Sequence, residues 1–476
     1  MKLLSVNLND NVYNIAYGEE KPNQNTFSIV IGKNGTGKSR LLAKVATIFL
    51  SVKKYHQNHS KVKHHKADEL TFISQDRQVT VKSAIGKGGK IFERNRRTKD
   101  NMCKKLIAAS ISPFDKFPLP KNNKKKIFNQ NFYSYIGFKT DKSSLSEKNL
   151  LTRFASSIVS SKSNVAVRRT LRLLGYKSDI TIEFEHNSER YFQQNNLRYN
   201  SRTFRELVLN NQDLYSRVLA DDNHLMSYYI LQELSQNPHS QIGMKTLSDL
   251  IGDSALPRSY SSNSTLDEKT TESLINSLEL NISSVKSITL RKNNSNQRLT
   301  LNDASSGERS LLLLICSIAS QITNDSLILI DEPEISLHPE WQETFIDLLH
   351  NAFSHYKRCH FIIATHSPLI ISNLPESSCY ILNMDENTLF ESKNYFNRSA
   401  DFQLARLFNT PGYQNEYLNR LCVSILSTFA KGDEINNETK ENINFLISIE
   451  NNLEDGDSVK SLIEIIRSTL EITKRC

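Results

Sequence analysis

The sequence predicts an α/β fold around a mixed central sheet, and three observations predict it. Residues 27–31 (FSIVI) form a short, mainly apolar run, followed by GKNGTGKS at 32–39 and by helical spacing over 40–46. Residues 326–330 (SLILI) form a second such run and end in Asp331-Glu332-Pro333. Residues 359–364 form a third and end in Thr365-His366-Ser367-Pro368. Continuous apolar runs suit parallel strands covered on both faces, and such sheets bind ligands beyond the C-terminal ends of their strands. All three runs end in polar, chemically capable residues.

Taken in chain order, residues 1–7 alternate and read as an edge strand rather than a signal peptide. After strand 27–31 comes a complete G-x-x-x-x-G-K-[ST] loop of Gly32, Lys33, Asn34, Gly35, Thr36, Gly37, Lys38 and Ser39. Its glycines let successive N–H groups turn inward on a phosphate, and the following helix adds its dipole. Lys38 would reach the β- and γ-phosphates, and the Ser39 hydroxyl would ligate Mg²⁺. The bland alternative is a glycine-rich turn beside a lysine. Residues 70–82 and 91–93 read as antiparallel strands around the turn 86–89, and 105–111 as a strand rejoining the main sheet. Helical spacing runs from about 145 to 253 without sustained heptads, which excludes a long coiled-coil arm. Residues 287–290 and 298–301 read as a hairpin leading to a serine–glycine turn at 304–310. That turn is either an anion site built from N–H groups or a simple helix cap. Beyond 383, amphipathic helices are expected at 402–408, 418–429, 443–449 and 459–472. The resulting units are a lobe at 1–150 with a basic β insert at 51–126, a helical insertion at 151–275, a second lobe at 276–390, and a helical region at 391–476.

At the second and third strand ends, Asp331 is placed to hold Mg²⁺ and Glu332 to orient or deprotonate an attacking water. His366 could contact a γ-phosphate and that water. Two solvated acids at an exposed strand end, and a satisfied structural histidine, are the competing accounts.

Composition narrows the class. The chain of 476 residues has a net charge of +9, yet residues 51–126 alone hold 20 Lys/Arg against 6 Asp/Glu, so the remainder is net acidic. Arg94, Arg96, Arg97 and Lys99, with Lys121 and Lys124 to Lys126, make this a candidate surface for nucleic acid or an acidic partner, or else a solvated loop. Six cysteines without a C-x-x-C pair suit reduced thiols in a cytoplasmic protein. No apolar run approaches the roughly 20 residues that span a bilayer.

The order and spacing of these pieces resemble the ATP-binding cassette superfamily, in its soluble branch of chromosome-maintenance and overcoming-lysogenization-defect-like ATPases. Residues 304–308 (ASSGE) match the signature with Ala304 departing at the first place, while EPEISLHP at 332–339 and ATHSP at 364–368 are typical of that branch. The resemblance implies an ABC-type ATPase head using ATP and Mg²⁺. It also implies a homodimer or higher oligomer that closes head to tail around ATP. Ser305, Ser306, Gly307 and Glu308 would then meet the phosphate held by a second subunit, and residues 336–338 would form the D-loop. For the family glutamine, Gln75 and the turn containing Ser112 and Asp115 are candidates. Residues 113–118 and 132–137 further resemble the anti-phage ATPases of Septu and retron systems, the PtuA type. That likeness implies a defence complex, with a separate HNH nuclease as effector and DNA or retron RNA–DNA as a possible ligand. A DNA-maintenance ATPase or the regulatory ATPase of a restriction system are the rival readings. No nuclease is expected in this chain, because Asp455-Gly456-Asp457 falls between helices with no sheet to hold it.

Overall fold

A computed structural model of the chain describes residues 1–8, 10–18, 23–58, 67–74, 77–84, 102–119, 132–137, 146–159, 164–186, 259–261, 271, 274, 275, 278, 283–295, 297–335, 337–431 and 435–473. Strand β1 (Lys2–Leu8) folds back on β2 (Asn11–Asn14), and the chain then enters the core as β3 (Thr26–Ile31). Helix α1 (Lys38–Asn58) leads to the hairpin of β4 (Ala67–Ser74) and β5 (Arg77–Ala84). These strands form an antiparallel sheet in the order β2-β1-β4-β5. Two expectations change here. The strand β1 is interior rather than an edge, because residues 11–14 return to pair with it. The stretch 70–82, expected as one strand, is split into β4 and β5 by a turn between Ser74 and Arg77, which pair directly; the expected turn at 86–89 and strand at 91–93 lie outside the described residues. Leu41, Val45 and Phe49 of α1 pack with Leu3, Phe72 and Val81 of this sheet in one buried cluster.

The chain continues through β6 (Lys105–Ser110), β7 (Tyr133–Ile136), α2 (Ser146–Val159) and α3 (Asn164–Leu173). A third sheet follows, of β8 (Thr181–His186), β9 (Ser259–Ser261), β10 (Ser283–Arg291) and β11 (Arg298–Thr300) in the order β11-β10-β8-β9. Helical spacing therefore does not hold across 181–186. Ile182 and Phe184 are buried while Thr181, Glu183 and Glu185 face out, a period of two that suits a sheet covered on one face.

Next come α4 (Ser306–Ala319), β12 (Ser326–Asp331), α5 (Pro339–Phe353), β13 (His360–Ala364), α6 (Pro368–Ser372), β14 (Cys379–Asn383) and β15 (Thr388–Glu391). They complete a seven-stranded central sheet in the order β15-β14-β3-β13-β12-β6-β7, parallel except at β15. Every residue of β3, β12 and β13 is buried, as their mainly apolar runs require. One face packs on α1, where Leu106, Leu327 and Ile362 join its cluster. The other packs on α2 to α5, where Phe154, Leu311 and Phe345 cover Ile107, Ile328 and Phe361. Phe27 and Phe361 stack there at 4.9 Å between centroids. A buried histidine ties the first sheet to the central one: His360 accepts from the Leu3 N–H at Nδ1 (2.9 Å) and lies 2.9 Å from Ser28 Oγ at Nε2.

Helices α7 (Ala400–Arg406), α8 (Glu416–Lys431), α9 (Asn437–Ile449) and α10 (Ser458–Thr473) form the C-terminal region. Its core unites Ala405, Leu418, Cys422, Leu446, Val459 and Ile463. Asp457 is fully buried before α10, accepting from the Gln414 N–H and the Val459 N–H at 2.9 Å each, so this acid serves the fold. Cys103, Cys316, Cys359, Cys379 and Cys422 are buried free thiols. Among the described residues no helix is long and apolar enough to cross a membrane, and no group of three or more His, Cys, Asp or Glu could hold a metal ion. The basic cluster from Arg94 to Lys99, and Lys121 with Lys124 to Lys126, lie outside the described residues.

Candidate active site

The three apolar runs are neighbours in the sheet. Because β3, β13 and β12 are parallel and in register, their C-terminal ends open on one edge, and the loops that follow them converge there. Gly32 leaves β3, and a Cβ at this position would come within 2.9 Å of Thr36 Oγ1. Thr36 closes the turn, its hydroxyl donating to the Lys33 carbonyl at 2.9 Å. At Gly37 the backbone takes φ +101°, a left-handed conformation in which side chains are strained. Helix α1 then starts at Lys38, so the unpaired N–H groups of its first turn face the loop.

Lys38 is only 4% exposed. Its ammonium donates to the carbonyls of Gly32 (2.7 Å) and Lys33 (3.2 Å) and lies 3.1 Å from Nδ1 of His366. Burial lowers its pKa, with Asp385, Glu332, Glu334 and Asp331 pulling the other way. Ser39 donates its hydroxyl to Asp331 Oδ1 at 2.9 Å. Asp331 is 1% exposed, and burial, reinforced by Glu332, Asp115 and Glu334 against the Ser39 hydrogen bond, pushes its carboxyl up to about 7. A buried carboxylate among other acids calls for a cation. An oxygen pair from a serine and an aspartate fits Mg²⁺, which keeps several waters and takes one or two carboxylates plus phosphate oxygens. The glycine cradle with Lys38 equally fits a polyphosphate.

Glu332 follows with φ +49°, uncommon for a side-chain-bearing residue and a form of strain that clusters at functional sites. Its N–H donates to the Ala364 carbonyl at 2.9 Å, which locks the end of β12 to that of β13. His366 stands between the two charged groups, with Nε2 3.7 Å from Glu332 Oε1. If the ammonium donates to Nδ1, the ring proton sits on Nε2 and points to Glu332. Burial and Lys38 lower the imidazole pKa, so the ring is neutral near physiological pH.

The structure therefore brings Gly32 to Ser39, Asp331, Glu332 and His366 together. It does not join Ser305, Ser306, Gly307 and Glu308 to them by any hydrogen bond among the described residues. Ser305 caps α4 in a reciprocal box: the Glu308 N–H donates to Ser305 Oγ (3.2 Å), and the Ser305 N–H to Glu308 Oε2 (3.1 Å). Glu308 also faces Tyr176, whose phenol is raised to about 12 first by burial and then by this carboxylate. Asn34 is exposed. Gln75 and Ser336 lie outside the described residues, whereas His338 is the N-cap of α5. Asp115 is buried and accepts from the Phe117 N–H (2.9 Å) and the Tyr135 hydroxyl (2.5 Å), and the Ser112 N–H donates to Ser110 Oγ (3.1 Å).

Two participants escaped sequence reasoning. Asp385 accepts the Lys33 N–H through both oxygens, at 3.2 and 2.9 Å. It lies two residues past the apolar strand β14, much as Asp331 ends β12, so a similar signal could have found it. Glu334, in the turn after Glu332, accepts the His366 N–H at 2.6 Å.

Loop, buried carboxylate and parallel sheet define an α/β protein of the P-loop class. The chain belongs to the family described as "AAA domain, putative AbiEii toxin, Type IV TA system", whose model matches residues 27–372. By membership it therefore carries an AAA domain. It is 31% identical over 170 residues to the "Retron Vc95 probable ATPase" of Vibrio cholerae, a match covering 32% of each chain. To the "Retron Ec83 probable ATPase" of Escherichia coli it is 25% identical over 207 residues, or 38% of each chain. The matched stretch is thus about a third of the length of these relatives. Among solved structures, the SMC head domain from Thermotoga maritima aligns with a TM-score of 0.34 and 12% identity, covering 80% of this chain and 94% of that one.

Proposed function

We propose that this chain is the ATP-binding and ATP-hydrolysing subunit of a bacterial anti-phage system, of the retron or Septu PtuA type. It works in the cytoplasm and uses its ATP state to control a separately encoded effector, an HNH nuclease. The observation that carries the reading is the constellation of Lys38, Ser39, Asp331, Glu332 and His366 at one sheet edge, in a chain similar to two retron ATPases. When bound, Mg²⁺ would supply charge neutralisation at the phosphates. The residues have separable tasks. Lys38 holds phosphate charge, Ser39 and Asp331 present oxygens to the metal, Glu332 takes a proton from water, and the neutral imidazole of His366 orients that water.

On this reading Ser305 and Gly307 serve the site of a second copy, since in their own chain Ser305 caps α4, Gly307 lies in its first turn, and neither has a hydrogen bond to the site among the described residues. The segment 51–126 contacts nucleic acid or the effector through its excess of positive charge. The test is ATP turnover by the purified chain, followed by phage challenge of cells carrying the gene with its neighbours. Turnover that is lost in Lys38→Ala, together with lost protection, is the expected result. Mixing Lys38→Ala chains with Ser305→Arg chains should recover one composite site per dimer. Absent recovery in verified mixed dimers refutes the shared site. Wild-type turnover by Lys38→Ala refutes the ATPase reading.

A further inference from the structure

The sheet ladder around the site ends one residue before it is needed. Ala364 is the last paired residue of β13, and the Thr365 N–H still reaches the Val30 carbonyl at 3.1 Å. Beyond that, the backbone that carries the imidazole has no strand to hold it. Side chains do so instead. The His366 N–H donates to Glu334 Oε1 at 2.6 Å, and the Ser367 N–H to Thr365 Oγ1 at 2.9 Å.

Glu334 is an odd choice for packing alone. Its Oε2 is buried without a well-formed hydrogen bond, and burial raises the carboxyl's pKa against the pull of the His366 N–H and the Thr365 hydroxyl, a burden that an apolar side chain would avoid. What a carboxylate offers is a stronger acceptor for one N–H than a neutral carbonyl would be. Glu334 also shares a tight turn with Glu332. The Ile335 N–H points to the Glu332 carbonyl at 3.4 Å, and the Leu337 N–H donates to the Glu334 carbonyl at 3.0 Å. The group that pins the His366 backbone thus moves with the group that faces its ring.

We propose that Glu334 is a positioning residue for ATP hydrolysis, fixing the main chain of His366 so that its imidazole stands between Lys38 and Glu332. This rests on the ATPase reading given above. Glu334 touches neither substrate nor reacting atoms; it acts through His366. A swing of the 365–366 peptide would carry the ring away from both charged neighbours, and misplacement by about 1 Å can cost on the order of 10²-fold in rate.

The test compares Glu334→Ala, Glu334→Gln and His366→Ala in the full chain. Glu334→Ala should lower kcat on the order of 10- to 100-fold while leaving the ATP dissociation constant within about two-fold. Glu334→Gln, whose amide oxygen can still accept the N–H, should recover most of that loss. In the His366→Ala background, Glu334→Ala should have no further effect on kcat. A readout independent of turnover is the His366 ring resonance by NMR, which should move in Glu334→Ala and return in Glu334→Gln. Should Glu334→Ala fail to fold, Glu334→Asp, which draws the acceptor back by one methylene, replaces it in every arm. The proposal is overturned if a folded Glu334→Ala keeps kcat within about two-fold, if Glu334→Gln is as impaired as alanine, or if the ring resonance does not move. A parent chain without ATP turnover would instead overturn the ATPase reading, and the NMR comparison alone would then decide the role of Glu334.

Discussion

Replacing Asp331 by asparagine should make the metal-free protein more stable. Asp331 ordinarily titrates at 3.8 and is pushed up to about 7 in the fold, chiefly by burial. A shift of about three units, at about 1.4 kcal/mol each, means the ionised form costs the fold about 4 kcal/mol. The sign follows from linkage. The unfolded chain releases this proton more readily than the folded one, so at a pH above both values the full cost is present. It declines as pH falls below about 7, to about 1.6 kcal/mol near pH 5, and vanishes below the unfolded value. Asparagine cannot ionise, and its amide oxygen can keep the bond from the Ser39 hydroxyl, 2.9 Å in the parent. The Asp331→Asn chain should therefore exceed the parent by about 2–4 kcal/mol near pH 8 in EDTA, and by less than half of that near pH 5. Urea unfolding read at the first transition is the assay, because a chain of this size need not unfold in one step. Adding Mg²⁺ and ATP should stabilise the parent by mass action and the variant far less, closing or reversing the gap. A variant that is no more stable than the parent near pH 8 without metal would refute the reasoning, since it would mean that the buried carboxylate is not under strain.

Lys38→Ala removes the ammonium that three acceptors hold in the loop, and ATP–Mg²⁺ affinity measured by calorimetry should fall by about tenfold or more. Glu332→Gln should bind ATP but lose on the order of 10²–10⁴-fold in turnover, leaving an ATP-bound species detectable by size. Glu332→Gly should lose turnover equally, yet keep its melting stability within about 1 kcal/mol, because glycine accepts the left-handed backbone found there. Ile463→Ala, at a fully buried position of α10, should cost the C-terminal helices about 2–5 kcal/mol, read as faster proteolysis of residues 400–473.

Much of the architecture is legible in local sequence because burial writes it there. Strands covered on both faces are apolar at most positions, and β3, β12 and β13 are, with Ser28 and His360 satisfied by each other's polar atoms. Phosphate loops need glycines at fixed places, and the Lys38 and Ser39 that end this one face the chemistry because α1 begins there. The amphipathic helices α7 to α10 are equally visible, since each buries one stripe. Other features are set only by partners distant in the chain. Whether β1 is an edge depends on residues 11–14 returning to it, and the strand character of 181–186 is settled by pairing with β10. Asp331 reads as an acid in the sequence, but burial in the sheet pushes it up to about 7, against the bond from Ser39, 292 positions away. Asp385 and Glu334 read as ordinary turn acids. They become parts of the site because four parallel strands, β3, β12, β13 and β14, end on one edge, bringing a carboxylate to the Lys33 N–H and another to the His366 N–H. The residue types that do chemistry were written locally, whereas their distances, protonation and restraint came from a sheet whose neighbours in space are far apart in sequence.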